Sequence, residues 1–180
     1  MPRLKQFVYC ALILVVLVSA ASCRKSQITG QADATIEEKP PLLTMVRVAD
    51  PKASAQLVKG FHAVEGNNWR WTMGRFSVLL SPPPGSGDSG ARLVLRFSIP
   101  EPVLKALTTV RLSAKVGDVP LPAQEYRTAG EQVYTRDVPP QALAKSIVPV
   151  DFVLDKFMPP GKVDQRELGV VVTVVGLEPR

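Results

Sequence analysis

Arg92-Leu-Val-Leu-Arg-Phe-Ser-Ile99 is the stretch that best decides the fold. Leu93, Leu95 and Phe97 occupy every second position, and Val94, Arg96 and Ser98 stand between them. Successive side chains of a β-strand point to opposite faces, so a period of two is typical of a strand with one buried face. The pattern therefore predicts a strand whose odd-numbered side chains face the core.

Short runs of the same kind follow one another through the second two-thirds of the chain, separated by Pro, Gly and Asp. They are Trp69–Thr72, Arg75–Leu80, Arg92–Ile99, Thr109–Val116, Gln132–Val138, Ile147–Leu154 and Leu168–Leu177. Val116-Gly117-Asp118-Val119 predicts a hairpin turn, and only Glu101–Leu107 and Gln141–Lys145 favour helical turns. This spacing predicts an all-β fold, a single antiparallel β-sandwich. Gly169–Gly176 is apolar on both faces, which predicts a central strand covered on both sides.

The chain divides into three parts by composition. Residues 56–180 are the predicted sandwich, and residues 23–55 are a predicted tether, rich in Gln, Thr, Glu and Lys and interrupted by Pro40-Pro41. Within that tether, the more apolar Leu42–Val48 favours an added edge strand. Residues 1–22 have the character of an export signal, with Arg3 and Lys5 before an apolar run from Phe7 to Val18.

Ser19-Ala20-Ala21-Ser22-Cys23 ends this first part. The segment resembles the lipobox of bacterial lipoproteins, the substrates of signal peptidase II. The resemblance implies cleavage before Cys23, a diacylglycerol group on its thiol and an acyl chain such as palmitate on its amine. Two or more chains give lasting membrane attachment, which one chain does not. An ordinary cleaved signal peptide and an uncleaved membrane helix are the alternatives.

The charge and the cysteine content of the chain limit the disulfides, the binding partners and the membrane that we expect for this protein. The chain has 180 residues and a net charge of +6, and loss of residues 1–22 leaves 20 basic and 16 acidic residues with Cys23 as the one cysteine. A disulfide within the mature chain is therefore impossible. The basic residues form no run with aromatic residues, so nucleic-acid binding is not expected. Arg24 follows the cysteine, which by the same resemblance favours the outer over the inner membrane.

The sequence contains no catalytic constellation that we can identify. Gly87-Asp88-Ser89-Gly90 matches the nucleophile loop of chymotrypsin-like proteases, but His62 is the only histidine and no separate Asp lies between it and Ser89. The surrounding Ser81–Gly90 is typical of an exposed loop. One histidine and one lipidated cysteine do not make a zinc or haem site, and Asp151, Asp155 and Asp164 lack calcium-loop spacing. No metal, cofactor or enzyme activity is expected.

Val64-Glu-Gly-Asn-Asn-Trp-Arg-Trp-Thr72 contains both tryptophans of the protein. Two residues apart on a strand, Trp69 and Trp71 point to the same face. They either fill one end of the core or form a platform for sugar rings, with Asn67, Asn68 and Arg70 as hydrogen-bonding partners. In another arrangement, Arg70 or Arg75 pairs with Glu65 or Glu167.

Trp69-Arg-Trp-Thr72 and Asp164-Gln-Arg-Glu-Leu-Gly169 resemble motifs of small β-sandwich domains in bacterial surface-polysaccharide proteins. The resemblance covers Gly60 to Glu178 and implies a jelly-roll or galactose-binding-like sandwich without catalytic residues. Asp164 is expected to cap a turn in which Arg166 and Glu167 pair.

The first functional hypothesis is therefore a lipid-anchored envelope protein that acts as a non-catalytic binding or accessory module for polysaccharide. The second is a structural lipoprotein that docks on a protein partner through a strand edge or Ser81–Gly90. An exported hydrolase is the third.

Overall fold

The computed structural model describes residues 41–180, so the predicted signal peptide, Cys23 and most of the predicted tether lie outside the described residues. The strands in this part of the chain are β1 (Met45–Arg47), β2 (Leu57–Glu65), β3 (Trp69–Leu80), β4 (Ala91–Ile99), β5 (Val110–Val116), β6 (Val119–Tyr126), β7 (Gly130–Val138), β8 (Val148–Leu154) and β9 (Val171–Pro179). Two short helices, α1 (Ser86–Ser89) and α2 (Glu101–Leu107), and two 3-10 turns, Pro51–Gln56 and Pro140–Leu143, connect them.

The strands form one antiparallel sheet that closes almost completely on itself. Its order is β6-β5-β8-β3-β9-β4-β7, with β1 beside β9 and β2 beside β3. The predicted all-β antiparallel sandwich is confirmed. Side chains rather than a backbone ladder join the two ends: the hydroxyl of Tyr126 on β6 donates to the carbonyl of Val133 on β7, and Tyr134 on β7 donates to Pro122 on β6.

Strand β3 links the two halves of the sheet. Its residues Arg70 and Trp71 pair with β9, whereas Arg75–Leu80 pair with β8. The other edge of β3 pairs with β2, both in the part that faces β9 and in the part that faces β8. The sequence predicted two separate strands here, Trp69–Thr72 and Arg75–Leu80. That prediction is wrong because Gly74 continues the strand, and the ring of Phe157 occupies the space where a Cβ of residue 74 would lie.

The core lies between the two halves of the sheet. The side chains of Leu93, Leu95 and Phe97 are buried, as the alternation of β4 predicts, and β5 alternates in the same way. Phe76 of β3 and Phe152 of β8 stack with their ring centroids 4.8 Å apart. Each of these large rings removes much apolar surface from water, so this contact stabilises the junction of β3 and β8.

Several local expectations differ from the structure. β9 is central, with β4 on one edge and β3 and β1 on the other, but only one of its faces is buried, since Val171 and Val174 remain partly exposed. Ser81–Gly90 is not wholly an exposed loop, because Pro83 is buried and Ser86 begins α1 with a buried side chain. Helical turns do form at Glu101–Leu107 and at Pro140–Leu143, which begins one residue before the predicted Gln141–Lys145 and ends two residues before it.

A buried glutamine fastens the beginning of the described chain. Gln56 is 2% exposed; its Oε1 accepts a hydrogen bond from the amide of Leu43, and its Nε2 donates to the carbonyls of Leu43 and Leu79. Just beyond, β1 pairs with β9, and Val46 is fully buried. The strand predicted within Leu42–Val48 is thus present as β1 and belongs to the sheet. It lies in the segment 23–55 that the sequence assigns to the tether.

Candidate functional site

An apolar cavity of about 470 Å³ opens beside Trp71, at the end of the sheet where β3 and β9 begin. Its lining comes from β3, from the beginning of α2 and from the long β8–β9 connection: Trp71, Pro100, Pro102, Val103, Met158, Pro159, Gly161, Lys162, Val163, Asp164, Arg166 and Leu168. Val163, on its rim, is fully exposed to solvent. A concave apolar surface with a few charged groups at its edge is the usual form of a small-molecule site.

Trp69 and Trp71 lie on the same face of β3. Their ring centroids are 6.4 Å apart and the rings meet edge to face at 84°. Neither indole is fully buried; Trp71 packs against the core and also lines the cavity. Trp71 therefore contributes to the core, and its use as a platform for a sugar ring stays a prediction.

The other three residues of the predicted site do not join the tryptophans. Asn67 and Asn68 are exposed in the β2–β3 turn, where Asn67 has a φ of 55°. Arg70 alternates to the opposite face of β3, where its guanidinium donates to the carbonyls of Val48, at 2.6 Å, and His62, at 2.9 Å. Arg70 therefore ties the backbone of three segments together, and no ion pair with Glu65 or Glu167 forms.

Three charged side chains form a cluster at the edge of the cavity. Arg166 donates to Glu65 at 2.6 Å and, through its Nε and Nη2, to Asp164. Asp164 also accepts a hydrogen bond from the Arg166 amide, as expected for a residue that caps a turn. These hydrogen bonds from Arg166 lower the pKa of Asp164 to about 2, so the carboxylate stays charged at neutral pH. The partners of Arg166 are Asp164 and, on β2, Glu65; the predicted pairing with Glu167 is wrong.

The β8–β9 connection is held in place along β3. The Thr72 hydroxyl accepts a hydrogen bond from the amide of Val170, and the Thr72 carbonyl accepts one from Gly169. The Glu167 carboxylate accepts a hydrogen bond from the amide of Gly74 at 2.7 Å. These bonds fix the wall of the cavity to the strand that carries Trp71.

Sequence reasoning missed the walls of the cavity. Pro100, Pro102 and Val103 lie more than fifty residues before Met158 and Leu168, and only the register of the sheet brings them together. The one available signal was the motif Asp164–Gly169, which supplies part of the rim.

The groups of the protease-like motif are engaged elsewhere. The Ser89 hydroxyl donates to the carbonyls of Gly85 and Gly90, and His62 Nε2 contacts the carbonyl of Glu167 at 2.7 Å. Among residues 41–180, no group of three or more His, Cys, Asp or Glu side chains is placed to hold a metal ion. In that same range, no helix has both the length and the apolar character needed to cross a bilayer.

Comparison with known proteins gives a likeness in backbone only. No protein-family model matches the chain, and no curated protein matches it in sequence. Among solved structures, a family GH115 4-O-methyl-alpha-glucuronidase with specificity for decorated arabinogalactans aligns with a TM-score of 0.46 at 11% identity over 78% of this chain. The chain spans 18% of that enzyme.

Two structures of carbohydrate-binding modules align over most of their own length. The CBM36-1 domain of a multidomain xylanase from the hindgut metagenome of Trinervitermes trinervoides aligns with a TM-score of 0.38 at 12% identity, covering 74% of this chain and 93% of that one. A CBM4 structure aligns with a TM-score of 0.37 at 14% identity, covering 76% and 85%. At these identities and scores, the likeness assigns neither a ligand nor a reaction to the chain.

Proposed function

We propose that the protein is a lipid-anchored, non-catalytic binding module of the bacterial cell envelope, and that the Trp71 cavity holds a sugar ring of a polysaccharide. The observation that carries this proposal is the combination at one place of a partly exposed indole, apolar walls and a rim of hydrogen-bonded charged side chains. Each part matches one chemical feature of a sugar ring.

The apolar walls suit the C–H face of a pyranose. That face buries apolar surface against an indole, and Pro100, Met158 and Leu168 exclude water from the contact. The volume of about 470 Å³ lies within the range of small-ligand sites, roughly 300–1,000 Å³. A single ring with its neighbouring linkages therefore has room beside Trp71.

The rim suits the hydroxyl groups. Asp164 and Arg166 hold each other in one geometry, so little side-chain entropy remains to be lost when a ligand binds. The carboxylate accepts hydrogen bonds from hydroxyls and the guanidinium donates to their oxygens. Since both groups remain about one-third exposed, they are accessible to a ligand in the cavity.

The first test is titration with a panel of neutral and acidic soluble polysaccharides, followed by tryptophan fluorescence and calorimetry. We expect Trp71→Ala to abolish binding and Trp71→Phe to weaken it, since a smaller aromatic surface remains. Trp71 also packs on the core, so Val163→Asp, at a fully exposed rim position, provides a variant that leaves folding intact. Absence of binding by the folded wild-type protein, or binding by Trp71→Ala and Val163→Asp as tight as that of the wild type, would contradict the proposal.

The lipid anchor is supported by the sequence around Cys23. We expect Cys23→Ser to lose incorporated palmitate and to move from the detergent phase to the aqueous phase in detergent partitioning. Cys10→Ser, inside the predicted signal, is the matched control and should behave as the wild type. Continued membrane association of Cys23→Ser would instead indicate an uncleaved helix. Density-gradient separation of membranes tests the preference for the outer membrane.

Docking on a protein partner is the second candidate, and one observation favours it. Among the described residues, β2 pairs only with β3, so its outer edge is unpaired, and Val58 on this strand is 57% exposed. An unpaired edge can accept a strand from another protein. Crosslinking in whole cells that captures one stoichiometric protein, together with absence of glycan binding, would favour this function.

A further inference from the structure

A second cleft, of about 390 Å³, lies on the outer face of the other half of the sheet, away from the Trp71 cavity. Its lining residues are Lys59, Arg75, Phe76, Ser77, Ser113, Ala114, Lys115, Pro120, Leu121, Asp151, Phe152 and Val153. They belong to β2, β3, β8, β5 and β6. The cleft therefore crosses the strands rather than following one of them.

Strand register arranges the polar side chains of this cleft in a row. Lys115 of β5 is opposite Asp151 of β8, Asp151 is opposite Ser77 of β3, and Ser77 is opposite Lys59 of β2. Neighbouring strands are about 4.8 Å apart, so the two lysines are separated by about 14 Å across the sheet. Arg75 stands two positions from Ser77 on β3 and lines the same cleft.

The cleft contains more positive than negative charge. Its charged residues are Lys59, Arg75, Lys115 and the single carboxylate Asp151. Asp151 accepts a hydrogen bond from the Ser77 hydroxyl at 2.6 Å and lies 3.8 Å from the Lys115 ammonium. Within residues 41–180, the side chains of Lys59 and Arg75 form neither an ion pair nor a hydrogen bond, although both line the cleft and both are exposed.

We propose that this cleft is a second binding site, specific for the acidic groups of an anionic polysaccharide. Lys59 and Arg75 receive the carboxylate or phosphate-ester oxygens, and Asp151, Ser77 and Ser113 exchange hydrogen bonds with neighbouring hydroxyls. A ligand that carries both acid and hydroxyl groups uses the whole row, which a simple anion does not.

The shape and the buried rings of the cleft favour a glycan over the other polyanions. Phe76 and Phe152 line its floor but are each 1% exposed, so they offer no ring face on which nucleic-acid bases could stack. The row of charges crosses β5, β8, β3 and β2, which suits a single extended polymer chain. Binding to an anionic membrane also depends on apolar side chains that insert into it, and the two rings at the floor of the cleft are buried.

The test compares polygalacturonate with neutral dextran, polyphosphate and phosphatidylglycerol vesicles, by calorimetry at low and at physiological salt. Arg75→Gln combined with Lys59→Gln should weaken polygalacturonate binding by about tenfold or more, because hydrogen bonds to charged groups are lost. Arg47→Gln combined with Lys52→Gln is the matched control, since it removes the same charge from exposed positions outside the cleft and should change the affinity by less than about twofold.

Four outcomes would overturn the proposal: no binding of polygalacturonate, equal losses in both double variants, tighter binding of polyphosphate than of polygalacturonate, or vesicle binding that depends on Arg75 and Lys59. The Arg75→Gln and Lys59→Gln double variant should bind a neutral polysaccharide that requires the Trp71 cavity as tightly as the wild type does. This result separates the cleft from the Trp71 cavity, so either site can fail without the other.

Discussion

The Tyr134 hydroxyl on β7 donates to the carbonyl of Pro122 on β6 at 2.9 Å, and so joins the two end strands of the sheet without a backbone ladder. Burial raises the pKa of the Tyr134 phenol, which keeps the hydroxyl protonated and able to donate. The Arg136 guanidinium lies 4.7 Å from the centre of the same ring and donates to the same carbonyl. Closure of the sheet depends on a few side chains at this seam.

Tyr134→Phe removes the hydroxyl and keeps the ring. We expect it to lower the free energy of unfolding by about 1 kcal/mol, as for one lost hydrogen bond, measured by urea denaturation. Tyr126→Phe removes the other hydroxyl at the seam and should have an effect of similar size. Unchanged stability in both variants would show that the hydroxyls do not hold the sheet closed.

Gly74→Ala places a methyl group where the ring of Phe157 lies, in contact with its Cδ1 atom. We expect the ring to be displaced and the stability to fall by about 1–3 kcal/mol, as for an overpacked site. Gly87→Ala is the control, because nothing lies within 4 Å of its added Cβ. If the clash is the cause, Phe157→Ala should remove most of the penalty of Gly74→Ala in a double-mutant cycle. An additive double variant would refute the clash.

Asp164 predicts a stability difference that depends on pH. Its pKa is about 2 in the folded protein and 3.8 as the ordinary value, so the unfolded chain binds more protons between these values. The stabilisation is therefore fully present above about pH 4 and is lost as the pH falls through about 2. The melting temperature of the wild type should be higher than that of Asp164→Asn at pH 6. The difference between the two melting temperatures should become smaller towards pH 2. A constant difference would contradict a role for the charge.

Gln56→Ala removes the three hydrogen bonds that hold Leu43 and Leu79. We expect a loss of about 2–3 kcal/mol, since the side chain is buried and several backbone groups lose their partner. Residues 41–44 should become sensitive to protease while β4 and β9 stay protected from hydrogen exchange. Ser54→Ala, at an exposed position of the same 3-10 turn, is the control.

The sequence predicts β4 and β5 from an undisturbed alternation and β9 from its apolar run, and its list of strands lacks β2 and β6, in which the alternation is broken. Leu93, Leu95 and Phe97 reveal β4 because one face of that strand is buried along its whole length. β2 lacks this pattern, since three register shifts and Gly60, with a φ of 74°, interrupt its pairing with β3. β6 contains Pro120 and Pro122, which ordinarily argue against a strand, and an end strand tolerates them.

The candidate site shows the same limit. The spacing of Trp69 and Trp71 places both indoles on one face, because this follows from local strand geometry. The position of Pro100 opposite Met158 depends on which strands are neighbours, and no local pattern encodes that choice. The hydrogen-bonding role of Arg70 could not be predicted either. Its partners are the carbonyls of Val48 and His62, which come close to Arg70 only when the sheet has formed.

The fastening of Leu43 by Gln56 has a mechanical consequence. Along β9, Val171 lies beside Trp71 and Leu177 beside Thr44, so the cavity and the entry of the chain are about 20 Å apart along this strand. A pull between a ligand in the cavity and the chain before Leu43 would run parallel to β1 and β9. Their hydrogen bonds would be loaded together in shear instead of opening one after another.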